Sequence, residues 1–375
     1  MANQIYRLSE ARELRGLTVA ELAEKIGVSR QTIYMYESGT QGPSGETLES
    51  ISTHLNFPLS FFAAPHSGVQ IEDRPIYFRD LKTNLNKFRK KAQRWLALLY
   101  DCVHEFERYV SLPAVNIPSL DIGDFTTLTD EEIDICAEQV RRSWGLGDGP
   151  IDNLMLLLEN NGFIVCYKDI GSEKLDACSV ILEGRPYIIL NKERLTCSRV
   201  LANLAHELGH IVMHQAVEKE AILDKTTHEL MESQAWRFAA AFLMPPAMFS
   251  MEVGYPNLQR FKSLKKRWRT SIAFMIKHCQ GLNMISNEKA QYLFRELSRL
   301  GFRKKEPFDD ILSIEKTNIL FDCEKIIAES DAVLKETLFQ QSCLSSRDYE
   351  SLIGAPEGYL EPKRIAPKLR LILSH

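Results

Sequence analysis

No two cysteines in the chain stand in a CxxC pair. The eight present (Cys102, Cys136, Cys166, Cys178, Cys197, Cys279, Cys323 and Cys343) are scattered along 375 residues. Scattered thiols argue against a disulfide framework and against a cysteine zinc site, which need short paired spacings; they read as reduced, mostly buried groups in a cytoplasm. Long apolar runs are missing too, and no stretch reaches the eighteen or so residues of a membrane span. The N-terminal MANQIYRLSEARELRG lacks the apolar centre of a secretory signal. Charge of one sign is also scarce: 46 Lys and Arg against 50 Asp and Glu give a net −4. Any affinity for nucleic acid or membrane must therefore be local. What remains is an ordinary globular composition, 45% hydrophobic and 26% charged, in a chain long enough for two or three domains.

Residues 6–62 alternate short helical patterns with turn signals. Leu8–Arg15 is followed by Gly16, Thr18 caps Val19–Ile26 before Gly27, and Ser29 caps Arg30–Glu37 before Ser38-Gly39. Glu46–Leu55 and a short turn at Leu59–Phe62 complete five helices in one compact unit. Residues 74–112 read as one long helix with a basic beginning: Arg74, Arg79, Lys82, Lys87, Arg89, Lys90, Lys91 and Arg94 stand against Asp80 alone. Thr129–Trp144 and Ile151–Asn160 read as helices. The period then changes: Phe163–Lys168, Cys178–Leu182 and Tyr187–Leu190 are short β-branched or aromatic runs, hence a small antiparallel sheet. Helical patterns return from Ser198 onward. The fold class is α+β, predominantly helical.

The chemistry lies in RVLANLAHELGHIVMH, which sets His206, Glu207 and His210 in an HExxH motif. On a helix, positions i and i+4 lie one above the other, about 6 Å apart, so two imidazoles can converge on one ion. Glu207 lies about 100° round the helix, within reach of a water polarised by that ion. Gly209 keeps the helix surface small. A catalytic zinc needs a third protein ligand and an open fourth position. His214 is the nearest in sequence, but it stands eight residues from His206, a rise of about 12 Å. That distance casts His214 as a pocket residue behind the ligands.

The next helix, HELMESQAWRFAAAFLMPP, makes the chain recognisable. HELGHIVMH followed by E-x-x-A-x-x-F-A-x-x-x-L-M-P resembles the ImmA/IrrE family of zinc metallopeptidases. The stretch WGLGDGPIDNLMLLLENNGFIV, the strand YIILN and the segment LKKRWRTSIAFMIKHCQGLNMIS also look like that family. The resemblance implies a zincin-like domain with zinc (Zn2+) as cofactor and Glu207 as general base. It also implies that the glutamate six residues before the Phe-Ala pair, Glu232, completes the zinc site. Glu232 would face inward with Ala235 and Ala239, whose small side chains permit close helix packing; Glu229 is the fallback ligand and His228 could line the pocket. Ala177, the RVLANLAHE segment and Trp236 depart from the family's usual pattern, none at a ligand or at the base.

LTVAELAEKIGVSRQTIYMYESGTQGPSGETLESISTHL resembles the helix-turn-helix of the XRE (Cro/phage-repressor-like) family. Its recognition helix would offer Ser29, Arg30, Gln31, Thr32 and Tyr34 to double-stranded DNA. Residues 1–60 nevertheless carry five Lys/Arg against seven Asp/Glu, a poor balance for binding phosphate. Strong binding would call for a homodimer or for help from the basic 74–94 segment, which can equally be a solvated face. A second basic run, Arg260–Lys277, could touch nucleic acid, dock a substrate or simply be structural.

The expected organisation is a helix-turn-helix domain at 1–66, a basic helical linker at 67–120, a zincin-like metallopeptidase domain at 121–252, a basic helical segment at 253–306 and a helical region at 307–375. The leading expectation is a cytoplasmic DNA-binding zinc metallopeptidase acting on a protein, such as a partner repressor. The alternatives are a repressor or antitoxin-like regulator with a silent or sensory peptidase fold, and a scaffold whose zinc is structural.

Overall fold

The structure is a computed structural model that describes residues 5–65, 69, 71, 74–78 and 85–361. Arg79, Asp80 and Lys82 of the basic segment, and the end of the 307–375 region, lie outside the described residues.

Five helices open the chain: α1 (Leu8–Leu14), α2 (Val19–Ile26), α3 (Arg30–Glu37), α4 (Gly45–Leu55) and α5 (Leu59–Ala63). Local chemistry sets their ends. Thr18 accepts from the Glu21 amide in a reciprocal capping box, Gly27 closes α2 at φ 72°, and Ser29 and Ser44 cap α3 and α4. Leu22, Ile33, Ile51 and Leu55 are buried beneath them.

The expected single helix over 74–112 divides. A two-residue strand, β1 (Tyr77–Phe78), precedes α6 (Asn86–Phe106). Tyr77 and Phe78 are both buried, and aromatic neighbours suit a pleated, covered surface better than a helix face. The basic start of α6 is partly engaged by the first helices, although Lys90 keeps half of its side chain exposed. Lys90 and Arg94 reach Glu13 of α1 at 3.0 and 2.7 Å, and Lys87 reaches Glu21 at 2.8 Å. The acidic excess of the first sixty residues is thus matched by α6, which packs along α1.

The sheet is mixed rather than antiparallel. It comprises β1, β2 (Ile164–Lys168), β3 (Ala177–Leu182) and β4 (Arg185–Asn191), in the order β1-β3-β4-β2. Glu183 and Gly184, at φ 49° and 81°, form the tight turn that makes β3 and β4 an antiparallel hairpin. The 169–176 connection is longer and crosses over, so β4 enters between β3 and β2 and pairs with β2 in parallel. Hydrophobic pattern alone sees three neighbouring strands and cannot register that crossing.

Both faces of the sheet are covered, and it divides two cores. Val165, Ile188 and Leu190 pack with α7 (Asp130–Ser143), α8 (Leu154–Asn160), α9 (Cys197–Met213) and, beyond the short α10 (Lys219–Leu223), with α11 (Lys225–Leu243). The helices α12 (Pro246–Val253), α13 (Leu258–Trp268), α14 (Ile272–Gly281) and α15 (Asn287–Arg299) extend the same core. On the other face Ile164, Cys166, Val180, Tyr187 and Ile189 pack with the five N-terminal helices, α6 and the helices α16 (Ile319–Ser330), α17 (Ala332–Ser342) and α18 (Ser346–Ile353). Arg15 joins the first unit to the last by an ion pair with Asp348 at 2.6 Å, while also holding Leu55 O and Asn56 O at the end of α4. The second basic run is consumed inside the fold only in part, with Arg260, Lys266, Arg267 and Lys277 exposed. Lys265, fully buried, pairs with Glu306 and Asp309, Arg267 with Glu252 and Arg269 with Glu315. Among the described residues no helix is long and apolar enough to cross a membrane.

Glu13 gives this arrangement a measurable signature. Burial pushes its carboxyl up, but the hydrogen bonds and charges of Arg94 and Lys90 more than offset that, leaving it below the ordinary value of 4.5. A depressed acid stabilises the fold above its unfolded value and loses that contribution as pH falls through its folded value. Glu13→Gln should therefore lower unfolding free energy at pH 7 by about 1–3 kcal/mol in urea titrations, with the difference shrinking as pH falls below 4.5.

Candidate metal centre

Two helices build the site. Thr196 caps α9, which carries His206, Glu207 and His210; Asp224 caps α11, which carries Glu232. They meet closely because Gly209 faces Ala235. A Cβ on Gly209 would lie 3.3 Å from Ala235 Cα and O and 3.1 Å from Phe238 Cδ1. That approach brings His210 Nε2 to 3.1 Å from both His206 Nε2 and Glu232 Oε1, with His206 Nε2 3.4 Å from Glu232 Oε2. Bonds of about 2.0–2.1 Å at tetrahedral angles would set donors about 3.4 Å apart. The two imidazoles and the carboxylate fit three corners of such a shell, and among the described residues they are the cluster able to hold a metal ion.

Proton positions follow from the partners. Gln234 turns its Nε2 toward Phe125 O at 2.7 Å, where only a donor fits. Its Oε1 therefore faces His214 Nε2 at 2.9 Å, which must carry the proton. His214 Nδ1 is then a bare acceptor 3.0 Å from His210 Nδ1, so His210 is protonated at Nδ1 and aims the Nε2 lone pair at Glu232 and His206. Burial and the neighbouring histidines keep the chain neutral, with His210 pushed down to about 4 and His214 to about 3. Burial raises the Glu232 carboxyl, but His206 and His210 beside it hold it far below the usual carboxylate range. A lone pair facing a carboxylate with no proton between them is an arrangement that a cation resolves.

Glu207 is buried beside the cluster. Burial pushes its carboxyl up to about 8, against a short hydrogen bond from Ser179 Oγ and with help from the Glu232 charge. Trp236 lies against His206 with ring centres 4.2 Å apart. Tyr77 stacks on His210 at 4.7 Å and donates to His214 O at 2.7 Å. His228 donates from Nε2 to Phe78 O at 2.7 Å.

The structure thus brings His206, Glu207, His210 and Glu232 together, with His214 directly behind His210 and His228 at the rim. The fallback Glu229 pairs with Lys225 on the surface. Sequence reasoning missed Ser179, Gln234, Phe125 and Tyr77. Ser179 left one trace, as the lone hydroxyl in the apolar strand ACSVIL. In the N-terminal unit Ser29, Arg30 and Gln31 are exposed and Tyr34 is 60% exposed. The Ser29 and Thr32 hydroxyls are engaged with each other in the cap, leaving Arg30, Gln31 and Tyr34 as the outward-facing groups.

Residues 158–279 match the family described as the IrrE N-terminal-like domain, and residues 8–62 match the helix-turn-helix family. The chain thus carries one match to a helix-turn-helix and one to an IrrE N-terminal-like domain. A putative HTH-type transcriptional regulatory protein of Methanococcus vannielii is 40% identical over 85 residues, 23% of this chain and 23% of that protein. Its counterpart in Methanocaldococcus jannaschii is 35% identical over 92 residues, 24% of this chain and 27% of that one. An uncharacterized HTH-type transcriptional regulator of Sinorhizobium medicae is 38% identical over 64 residues, 16% of this chain and 46% of that protein. This chain thus spans about a quarter of the length of the two archaeal relatives. A solved Mycobacterium tuberculosis transcriptional regulator shares 13% identity and a TM-score of 0.30, with 50% of this chain and 51% of that chain covered. Both family resemblances read in the sequence are thus met by matching family models.

Gln234→Met keeps the side-chain volume and removes the group that fixes the tautomers. Competition with a chelator should show zinc affinity reduced about 10–100-fold, with nitrogen NMR reporting mixed His214 and His210 tautomers. Unchanged affinity would remove the relay from the site.

Proposed function

We propose that this chain is a cytoplasmic DNA-binding regulator whose IrrE N-terminal-like domain is a zinc-dependent endopeptidase acting on a protein, such as a repressor. The observation that carries the reading is the donor triangle of His206, His210 and Glu232, with a buried carboxylate, Glu207, directly beside it.

When bound there, a zinc ion supplies Lewis-acid activation of the scissile carbonyl and of the attacking water. The chain's own groups do the rest. His214 and Gln234 hold the His210 lone pair on target. Ser179 orients Glu207, which would take the water's proton and pass it to the leaving amine. Trp236 and Tyr77 keep bulk water from the imidazoles, which strengthens every charge interaction within. The helix-turn-helix would bring this centre to DNA through Arg30, Gln31 and Tyr34, with Ser29 and Thr32 shaping the start of the recognition helix.

A second reading, a regulator whose peptidase fold is silent or sensory, draws support from Tyr77, whose ring covers His210.

The two separate in one assay. The zinc-loaded chain and Glu207→Gln are incubated with a library of internally quenched peptides, and the metal content of each is measured. The first reading expects cleavage by the native chain and a rate at least about 100-fold lower in Glu207→Gln, with zinc retained in both. Equal rates in the two would overturn the mechanism. No cleavage by a fully zinc-loaded native chain, nor by Tyr77→Ala, which uncovers His210, would favour the silent reading.

A further inference from the structure

The strand β1 comes from outside the peptidase region. The matched domain spans residues 158–279 and supplies β2, β3 and β4, in which β3 is an edge. Tyr77 and Phe78, from the segment between the two matched domains, lie on that edge in antiparallel register, Tyr77 opposite Ser179 and Phe78 opposite Cys178. Ser179 is the residue whose hydroxyl holds Glu207. Whatever pairs with β3 at this position must run its backbone past the candidate base and the histidines.

The contacts of β1 are those a bound peptide would make. Phe78 O accepts from His228. The Tyr77 ring lies parallel to His210, 6° apart in plane, and its hydroxyl reaches His214 O. The same ring sits in a small apolar cluster with Val217, Ile222 and Met231, so one aromatic side chain fills a formed recess. An exposed sheet edge pairs readily with an extended chain, the main chain giving affinity and alternate side-chain recesses giving selectivity.

We propose that Ile76-Tyr77-Phe78 is a resident occupant of the β3 edge beside the metal centre, held where an extended peptide with an aromatic side chain opposite Ser179 would otherwise lie. This rests on the peptidase reading for the fate of a docked peptide, but docking itself requires neither metal nor cleavage. The occupant is attached to the same chain, so its effective concentration is far above that of a free peptide, on the order of millimolar for a short tether. A substrate must therefore displace it, and the site is closed until residues 76–78 leave the β3 edge. Because α6 is ion-paired to α1 through Glu13, the helix-turn-helix unit and the occupant share one connecting helix.

The test uses the full chain and a fluorescent peptide of residues 74–78, Arg-Pro-Ile-Tyr-Phe. Phe78→Cys would set a thiol directly opposite the native Cys178, and residues paired across an antiparallel ladder lie within disulfide range. Under mild oxidant a disulfide between the introduced thiol and Cys178 should form, as mapped by mass spectrometry. The reduced variant should then bind the peptide at least ten-fold more tightly than the bridged one. Tyr77→Ala, which empties the aromatic recess, should bind it at least ten-fold more tightly than the native chain, with faster hydrogen exchange across residues 177–182. Failure of the bridge to form, equal peptide binding by reduced and bridged forms, or no gain in Tyr77→Ala would each overturn the proposal. Loss of cleavage alone, with these binding results intact, would instead fall on the peptidase reading.

Discussion

The close approach of α9 and α11 is the constraint on which the site depends. At Gly209 the first helix has no side chain, and at Ala235 the second has one carbon, so the two backbones come nearer than larger residues would permit. Only at that distance can a glutamate on one helix stand 3.1 and 3.4 Å from two histidine nitrogens on the other. The buried face around Phe238, Ala239 and Phe242 holds the approach rigid by ordinary close packing. Everything else refines this pair: Gln234 and His214 fix the His210 lone pair, Trp236 and Tyr77 cover the rings, and Ser179 reaches across from the sheet to Glu207.

The sheet extends that constraint to the rest of the chain. One face carries the helices of the metal centre and the other carries the helix-turn-helix, α6 and the last three helices. Residues on a strand alternate between the two cores, so Ile188 and Leu190 of β4 support the side of the candidate metal centre while Tyr187 and Ile189 support the helix-turn-helix side. The helix-turn-helix unit is consequently packed into the molecule. Its acidic balance is met by Lys90 and Arg94 on Glu13 and by Lys87 on Glu21. The recognition helix keeps Arg30, Gln31 and Tyr34 outward.

How much of this was legible in the sequence depended on the range of the interaction. The caps at Thr18 and Ser29 were legible because a cap is decided within four residues. His206, Glu207 and His210 were legible because their spacing is a helix period, and His214 was set aside as a ligand by the rise of the same helix. Glu232 came from resemblance to a family, since no local rule pairs residues on separate helices. Tyr77 was out of reach: its partners, His210 and Ser179, are more than a hundred residues away, and its segment carried a helical pattern that pairing with β3 overrode. The parallel pairing of β2 with β4 was hidden for a similar reason, as a crossover leaves no mark in either strand. The fate of the basic segment also depended on a distant partner, Glu13.

The account stands or falls on Glu232 as a metal ligand. Its most direct test is X-ray absorption at the zinc edge combined with zinc titration, on the native chain and on Glu232→Ala. The expected result is one zinc per native chain in a light-atom shell containing two imidazoles. In Glu232→Ala the affinity should fall at least about 100-fold, since loss of a direct ligand must exceed the 10–100-fold effect typical of an outer-shell loss. Native-like affinity and an unchanged shell in Glu232→Ala would contradict it.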